Sequence, residues 1–383
     1  MRKILLWIHL ISGVSCGLFI AMMCATGIAI AFKQDILNWI DRPVTHLSES
    51  SQTGERHSAD AVLAWLAQYH ADLEFEYLEI PADPLRAYTV YDSHYDPSYI
   101  NPYALELIEA PSHTAHHLLH TLETWHRFAG LQGEHWFVGR LINGTANLMF
   151  VVLCLTGLVL WFPRRWRWRL LRQNLQLNSK ARRAARRRNQ HQVFGFWSFP
   201  VLLLLAATGV VISFEWAHKL VFVLAGETPS QHRTFRMLML EPPEVDAEIT
   251  QHAERPLFQT TLQSVAAQFP DWTAVEFQLP PAGERTNPKE PLTLYIHRPS
   301  GFVTKGLVFA HAHPVTGELM QVTQWHERSR GIRARVWVRF LHTGEAFGFL
   351  GKLVASLACT AGLILVYTGF ALALQRWKRS RAP

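Results

Sequence analysis

Four histidines occupy equivalent places in a sequence that repeats itself. The segment that begins at His9 aligns without gaps on the segment that begins at His191, at an offset of 182. His126 and His342 lie just before two further segments, which align at an offset of 212, although the first spacing is four residues longer. Two neutral imidazoles from different helices, opposed across a gap, are typical axial ligands of a b-type haem iron.

Four long apolar segments must position these histidines. With 383 residues, of which 49% are hydrophobic and only 17% charged, the composition excludes a disordered or fibrous chain and is typical of a membrane protein. The first segment is longer than the apolar core of a secretory signal, so we interpret it as a retained helix. The sequence predicts membrane-spanning helices over residues 4–32, 137–162, 193–214 and 348–374.

The basic residues predict the orientation of these helices. Arg2 and Lys3, the loop 163–190 and the tail after Leu374 hold 17 of the 37 Lys and Arg but none of the 30 Asp and Glu. Such segments face the cytoplasm under the positive-inside rule, which places both termini inside. We therefore interpret the basic loop as an anchor beside the lipid bilayer and expect no nucleic-acid partner.

The depth of each histidine follows from this orientation. His9 and His191 lie near the cytoplasmic ends of the first and third helices, and a threonine follows each of them further out, after a rise of ~25 Å. His126 and His342 lie near the outer ends of the second and fourth helices. The depths pair His9 with His191 and His126 with His342. Alternative outer ligands are His116, His117, His120 and His218, with His120 the reserve for His126.

Two external segments, residues 33–122 and 225–335, resemble each other. In the first, a helix-like stretch at 58–66 precedes strand-like runs at 74–80, 87–91 and 104–108. The second repeats this order at 261–269, 274–279, 292–297 and 319–322. The predicted fold is a four-helix transmembrane bundle built from a duplicated two-helix repeat, with two α+β external domains.

Small residues and cysteines near the histidines bear on how a haem would be held. No C-x-x-C-H motif is present, so covalent haem attachment is not predicted, and we expect two haem b groups. All four cysteines fall inside predicted membrane helices: Cys16, Cys24, Cys154 and Cys359. Five glycines are expected to let a flat porphyrin approach the backbone: Gly13, Gly17, Gly139, Gly195 and Gly351.

Several of these motifs resemble a known family. The motifs are Trp7-Ile8-His9, Trp125-His126-Arg127, residues 156–165 (TGLVLWFPRR), residues 191–195 (HQVFG) and residues 341–348 (LHTGEAFG). The chain resembles the PepSY-associated transmembrane family over nearly its whole length. Within that family it is similar to the periplasmic siderophore reductases of the ferrioxamine-utilising kind. The resemblance implies a bacterial inner-membrane di-haem protein with PepSY-like periplasmic domains and haem ligands at His9, His126, His191 and His342.

The chemistry of two haems at different depths indicates an electron path across the membrane. Oxygen ligands hold ferric iron far more tightly than ferrous iron, so a one-electron reduction would release iron from a ferric siderophore, for which a hydroxamate type is expected. No nucleotide-binding motif is present, which leaves the quinol pool or another membrane protein as the electron donor. No catalytic residue is assigned, and no role is given to His311, His313, Trp325 and His326. The alternative function is a PepSY-domain scaffold or importer component without redox chemistry.

Overall fold

The protein is described from a computed structural model. The structure describes residues 1–48, 54–70, 73–92, 96–108, 111–163, 167–229, 242–246, 257–280, 290–300 and 306–380. The chain divides into two compact units. The helical unit comprises residues 1–34, 117–233 and 330–383, and the sheet unit comprises residues 35–116 and 234–329.

Four long helices dominate the helical unit: α1 (Arg2–Ile30), α6 (Trp136–Trp161), α8 (Arg183–Ser213) and α12 (Gly348–Ser380). All four are long and apolar enough to cross a membrane, which confirms the predicted number of spans. Helix α8 begins well before the predicted position 193, because the preceding arginines are good helix formers and continue the helix beyond its apolar part. For the same reason α12 extends past the predicted 374 to Ser380.

Each long helix packs against two of the others. Helix α1 contacts α6 and α12, and α8 contacts the same two helices. Helices α1 and α8 therefore occupy diagonal corners of the bundle, as do α6 and α12. Because a diagonal pair faces the centre of the bundle, side chains on α1 and α8 can meet there without an intervening helix.

Shorter helices complete the helical unit and lead into the long ones. Helix α5 (His113–Phe128) precedes α6, and α11 (Arg330–Thr343) precedes α12, each through a tight corner. Gly130 at the first corner and Gly344 at the second have φ angles of 78° and 79°, which favour glycine. The remaining short helices of this unit are α7 (Trp168–Leu175) and α9 (Glu215–Leu224). Helices α2 (Lys33–Ile40) and α3 (Arg42–Thr45) belong to the sheet unit, apart from the first two residues of α2.

The sheet unit contains one antiparallel sheet of eight strands in the order β4-β3-β2-β1-β5-β6-β7-β8. The strands are β1 (Tyr77–Pro81), β2 (Tyr88–Tyr91), β3 (Pro97–Asn101), β4 (Glu106–Ile108), β5 (Ala274–Gln278), β6 (Leu292–His297), β7 (Leu307–Ala312) and β8 (Leu319–Thr323). The sequence analysis predicted two external domains, whereas the structure joins the two segments in this single sheet. Strands β1 and β5 pair in antiparallel register, with Leu78 opposite Phe277. Without this pairing, β1 and β5 would each be an unpaired edge strand of a separate four-stranded sheet.

One face of the sheet carries the hydrophobic core, which packs against α4 (Ala59–Tyr69) and α10 (Phe258–Gln268). The two helices cap each other. Both carboxylate oxygens of Asp60 accept hydrogen bonds from the first backbone N–H groups of α10, at 2.8 and 3.0 Å. In return, the side-chain carbonyl of Gln259 accepts from the backbone N–H of Ala59 at 3.2 Å. These bonds satisfy N–H groups that have no partner inside a helix.

The predicted boundaries differ from the structure at several points. Strands β3 and β7 were not predicted, and α5 and α11 run through the predicted ends of the external segments at 122 and 335. Strand β3 begins at a proline and carries polar residues, so its apolar alternation is weak. Within the predicted basic loop 163–190, residues 164–166 lie outside the described residues, as do parts of the predicted second external domain at 230–241, 247–256, 281–289 and 301–305.

Candidate functional site

The four histidines form two pairs inside the helical unit. The ring centroids of His9 and His191 are 6.3 Å apart, with the ring planes at 88°. The centroids of His126 and His342 are 6.2 Å apart, with the planes at 58°. These are the pairings expected from the sequence. Each pair takes one histidine from the first half of the chain, residues 1–161, and one from the second half, residues 183–380.

The two pairs lie at opposite ends of the bundle. His9 is near the start of α1, whereas Thr26, which contacts the ring of His126, is near the other end of the same helix. At about 1.5 Å per residue, the rise from position 9 to position 26 is ~25 Å along the helix axis. We call the pair His9 and His191 the inner pair and the pair His126 and His342 the outer pair.

Every one of these rings is held by a threonine on a neighbouring helix. The Nδ1 atoms of His9, His126, His191 and His342 lie 3.0, 3.0, 2.9 and 3.0 Å from the Oγ1 atoms of Thr156, Thr26, Thr368 and Thr208. Within each half, the histidine of one helix meets the threonine of the other. Among the described residues, Nδ1 is the nitrogen of each ring that takes part in these bonds.

A glycine follows each of the four threonines and lies against the same ring. A Cβ atom built at Gly27, Gly157, Gly209 or Gly369 would lie 3.2, 3.2, 3.1 or 3.6 Å from Cε1 of the adjacent histidine. The first three distances are shorter than an ordinary van der Waals contact of a Cβ atom. The absence of a side chain therefore lets each ring lie close to the neighbouring helix, as close packing of small residues does in other membrane bundles.

The sequence reasoning did not give these Thr-Gly pairs a functional role. It used them only as markers of the repeat, although their recurrence on all four long helices was visible in the sequence. It named five other glycines as space for a porphyrin, an expectation that stays a prediction, and the structure shows the present contacts of these glycines. Gly13 and Gly195 pack against leucines, Gly17 packs against Phe370, and Gly139 and Gly351 face the backbone carbonyl groups of Phe128 and Gly344.

His126 sits on α5, not on the spanning helix α6 that follows it. The side-chain amide of Asn143 on α6 donates to the carbonyl oxygens of Trp125 and His126, at 3.0 Å each. The extra residues between His126 and α6 form the corner after α5, so they do not displace the ring from His342. His120, the predicted reserve, lies earlier on α5, and the ring that faces His342 is that of His126.

The paired rings fit a group that brings its own equatorial ligands. Within the described residues, no cluster of three or more His, Cys, Asp or Glu could hold a bare metal ion, so each pair offers two ligands only. With metal–nitrogen bonds of about 2.0–2.1 Å, two imidazoles that share one metal ion between them would have ring centroids about 6 Å apart. The observed spacings of 6.3 and 6.2 Å match this value.

An apolar cleft borders the corner that follows His342. This cleft of about 250 Å³ lies between α8 and the corner that joins α11 to α12, and neither His126 nor His342 lines it. It is lined by hydrophobic side chains and glycines, among them Leu205, Leu341, Gly344 and Gly351. All four cysteines are free thiols. The cleft therefore offers only apolar side chains and glycines near the corner that follows His342.

The other histidines considered from the sequence have separate partners. His116 lies 2.8 Å from the carboxylate of Asp41, which also accepts from the hydroxyl of Tyr99 at 2.7 Å. Burial, with the nearby Asp41 carboxylate, raises the pKa of Tyr99. These contacts give the sheet unit a buried polar cluster.

Further contacts account for most of the remaining candidates. His218 accepts from Nε of Arg335 at 3.0 Å. His311 lies 3.3 Å from the Thr293 hydroxyl, and Nδ1 of His313 accepts from two backbone N–H groups of the following turn. The ring of Trp325 lies 5.5 Å from the Arg328 guanidinium, while the His326 side chain is exposed. None of these residues joins the two histidine pairs among the described contacts, and they keep no assigned role.

Comparison with known proteins identifies the family of the chain. A comparison with curated protein sequences found no match. The family model described as the PepSY-associated TM region matches residues 6–376, nearly the whole chain. The four apolar helices and the antiparallel sheet agree with a multi-pass membrane protein that carries a PepSY-like domain. The chain therefore belongs to the PepSY-associated transmembrane family.

Proposed function

We propose that the chain is a membrane oxidoreductase that binds two noncovalent haem b groups. His9 and His191 would hold one haem, and His126 and His342 the other. The observation that carries the proposal is the spacing of 6.3 and 6.2 Å between the paired rings. When bound, haem supplies reversible one-electron chemistry, which the side chains of this protein alone do not offer.

The residues around each pair have the properties that such a site needs. The neighbouring threonines orient the rings, and the glycines beside them bring the rings close to the helix backbone. Apolar side chains of the bundle exclude water and lower the local dielectric constant. The two pairs stand ~25 Å apart along α1, so the chain offers one site near each end of the bundle.

The proposed orientation places the sheet unit outside the bacterial inner membrane, in the periplasm. Support comes from Arg2 and Lys3, the loop 163–190 and the tail after Leu374, which together carry 17 basic and no acidic residues. The inner pair then lies near the cytoplasmic face and the outer pair near the periplasmic face. Electrons would enter from the quinol pool or another membrane donor.

The proposed reaction is the reduction of a ferric siderophore, with a hydroxamate type as the expected substrate. One electron converts the bound Fe³⁺ to Fe²⁺, and the oxygen ligands of the chelator then hold the metal far more weakly. The protein's part is to deliver that electron on the periplasmic side, where the outer pair lies. The released ferrous iron is the product.

We also propose that the two halves arose by duplication. The alignments at offsets of 182 and 212 support this, and so does the matching pattern of contacts. His9 meets Thr156 as His191 meets Thr368, and His126 meets Thr26 as His342 meets Thr208.

The test is a reduced-minus-oxidised spectrum with haem quantification on the purified full-length protein. We expect a Soret band, b-type α-bands and two haems per chain, both extractable with acidified acetone. A His326→Ala variant is the matched control, because His326 is an exposed histidine that belongs to neither pair. Protein that folds and inserts but carries no haem would contradict the proposal and favour a scaffold or importer component.

A further inference from the structure

The hydroxyl groups of four threonines each contact two backbone carbonyl oxygens of their own helix, three and four residues earlier, and the Nδ1 atom of a facing histidine. Each hydroxyl donates to the backbone carbonyl four residues earlier on its own helix. These distances are 2.8, 2.6, 2.7 and 2.7 Å for Thr26, Thr156, Thr208 and Thr368. A hydroxyl has one proton, and here that proton is donated in the hydrogen bond to the backbone carbonyl. The same oxygen can therefore only accept from Nδ1 of the facing histidine, which must carry a proton.

A second acceptor fixes the same tautomer. Nδ1 of His342 lies 3.0 Å from the carbonyl oxygen of Leu205, and a carbonyl oxygen can only accept. The rings of His126, His9 and His191 also have a backbone carbonyl nearby, that of Met23, Leu153 and Leu365, each three residues before the threonine. In all four rings, Nδ1 is then the protonated nitrogen and Nε2 keeps its lone pair.

We propose that Thr26, Thr156, Thr208 and Thr368 are positioning residues that set the tautomer and the donor strength of the four axial histidines. The inference rests on the proposed haem function and deepens it. With Nδ1–H fixed, Nε2 is the atom available to iron. Donation from Nδ1–H to an oxygen makes the imidazole more basic, which favours ferric over ferrous iron and lowers the reduction potential.

The arrangement of the contacts makes the four threonines separable by experiment. Thr26 and Thr208 contact the outer pair, whereas Thr156 and Thr368 contact the inner pair. The backbone carbonyl near each Nδ1 remains when the threonine is replaced, so the ring keeps one acceptor. Loss of the hydroxyl should therefore weaken the site without abolishing it.

The experiment compares Thr208→Val with Thr208→Ser in the purified full-length protein. Valine removes the hydroxyl and keeps the branched shape, while serine keeps the hydroxyl. In a spectroelectrochemical titration, Thr208→Val should raise the midpoint potential of the outer haem and leave the inner haem unchanged. Its affinity for that haem should fall about 10- to 100-fold, and Thr208→Ser should restore both quantities. Thr156→Val should show the same changes at the inner haem only.

Thr360→Val is the matched control. Thr360 lies on α12, and its hydroxyl also donates to a carbonyl four residues earlier, that of Ser356 at 2.9 Å, but the side chain is exposed. This variant loses the same helix-internal bond, so it should leave both potentials at their wild-type values.

The outcomes separate this inference from the proposed function. Wild-type protein without haem would overturn both. Wild-type protein with two haems, but with potentials that Thr208→Val and Thr156→Val leave unmoved, would overturn the positioning role alone. If Thr208→Val loses the outer haem altogether, Thr208→Ser decides: retained haem at the wild-type potential supports the inference, and its loss overturns it.

Discussion

Asn143 holds the end of the helix that carries His126. Its side-chain amide donates to the carbonyl oxygen of His126 and to that of Trp125, at 3.0 Å each, near the end of α5. The Trp125 carbonyl also accepts from the backbone N–H of Ala129. Ala355 stands at the equivalent place in the second half of the chain. There the corner is shorter and turns directly at Gly344. The side chain of Asn143 thus fixes the end of the histidine-bearing helix in the first half, as the shorter corner does in the second half.

We expect Asn143→Ala to weaken haem binding at the outer pair and to spare the inner pair. The change removes two hydrogen bonds at the end of α5, each contributing about 0.5–1.5 kcal/mol, so the ring of His126 loses its fixed position. The measurement is haem content and outer-haem affinity of the purified variant. Asn189→Ala is a matched control, because Asn189 also donates to two carbonyl groups, those of Gln173 and Gln176, in an exposed region. Equal loss in both variants would contradict a specific role for Asn143.

Removal of individual histidines should empty the two sites independently. His9→Ala or His191→Ala should reduce the haem content from two to one by removing the inner haem, and His342→Ala should remove the outer haem. The reason is that each pair supplies both axial ligands of one site. Pyridine haemochrome analysis of each variant provides the count. Full occupancy of both sites in His126→Ala would show that another residue, with His120 the first candidate, pairs with His342.

Orientation can be measured by labelling engineered cysteines in intact cells. We expect Gln268→Cys, at the exposed end of α10, to react with a membrane-impermeant maleimide added from outside. Ser179→Cys, in the exposed basic loop, should react only after the membrane is permeabilised. Unmodified protein sets the background of the four native cysteines. The reverse labelling pattern would contradict the positive-inside assignment.

Dithionite-reduced protein should be reoxidised by a ferric hydroxamate siderophore, with ferrous iron captured by ferrozine. The gallium form of the same siderophore is the control, because Ga³⁺ has similar ligand chemistry but accepts no electron under these conditions. His9→Ala should keep this half-reaction, since the outer pair is intact, and should lose turnover driven by a membrane donor. If no ferric chelate reoxidises the reduced protein, the substrate assignment is wrong even where both haems are present.

The sequence was sufficient to predict the membrane spans and the histidine pairings because both depend on long-range regularities. Apolar length determines a span, and the gap-free alignment of His9 on His191 places these two histidines at equivalent depths. In contrast, the pairing of β1 with β5 depends on which edges meet in three dimensions, and no pattern around Leu78 or Phe277 specifies a partner. Local pattern alone therefore predicted two external domains, whereas the described strands of both segments form one sheet.

The threonine contacts were missed for a different reason. A threonine in a membrane helix usually satisfies its hydroxyl on its own backbone, and Thr26 and Thr208 do so. The contact with the histidine could not be predicted in addition to that local hydrogen bond, because the histidine that meets each threonine is far away in the chain. Which neighbouring helix a threonine side chain faces depends on how the helices pack, and this packing cannot be read from the sequence.

If the proposed haem sites are correct, the distribution of each histidine pair over both halves links haem binding to the assembly of the bundle. Each ring is fixed by a threonine of its own half, but its facing ring belongs to the other half. A ligand that binds only when both halves are in place stabilises their association by mass action, in addition to the contacts of α1 with α12 and of α6 with α8. Two polypeptides obtained by dividing the chain between α7 and α8 would accordingly behave as complementary fragments, and free haem concentration would control how much of the pair is assembled.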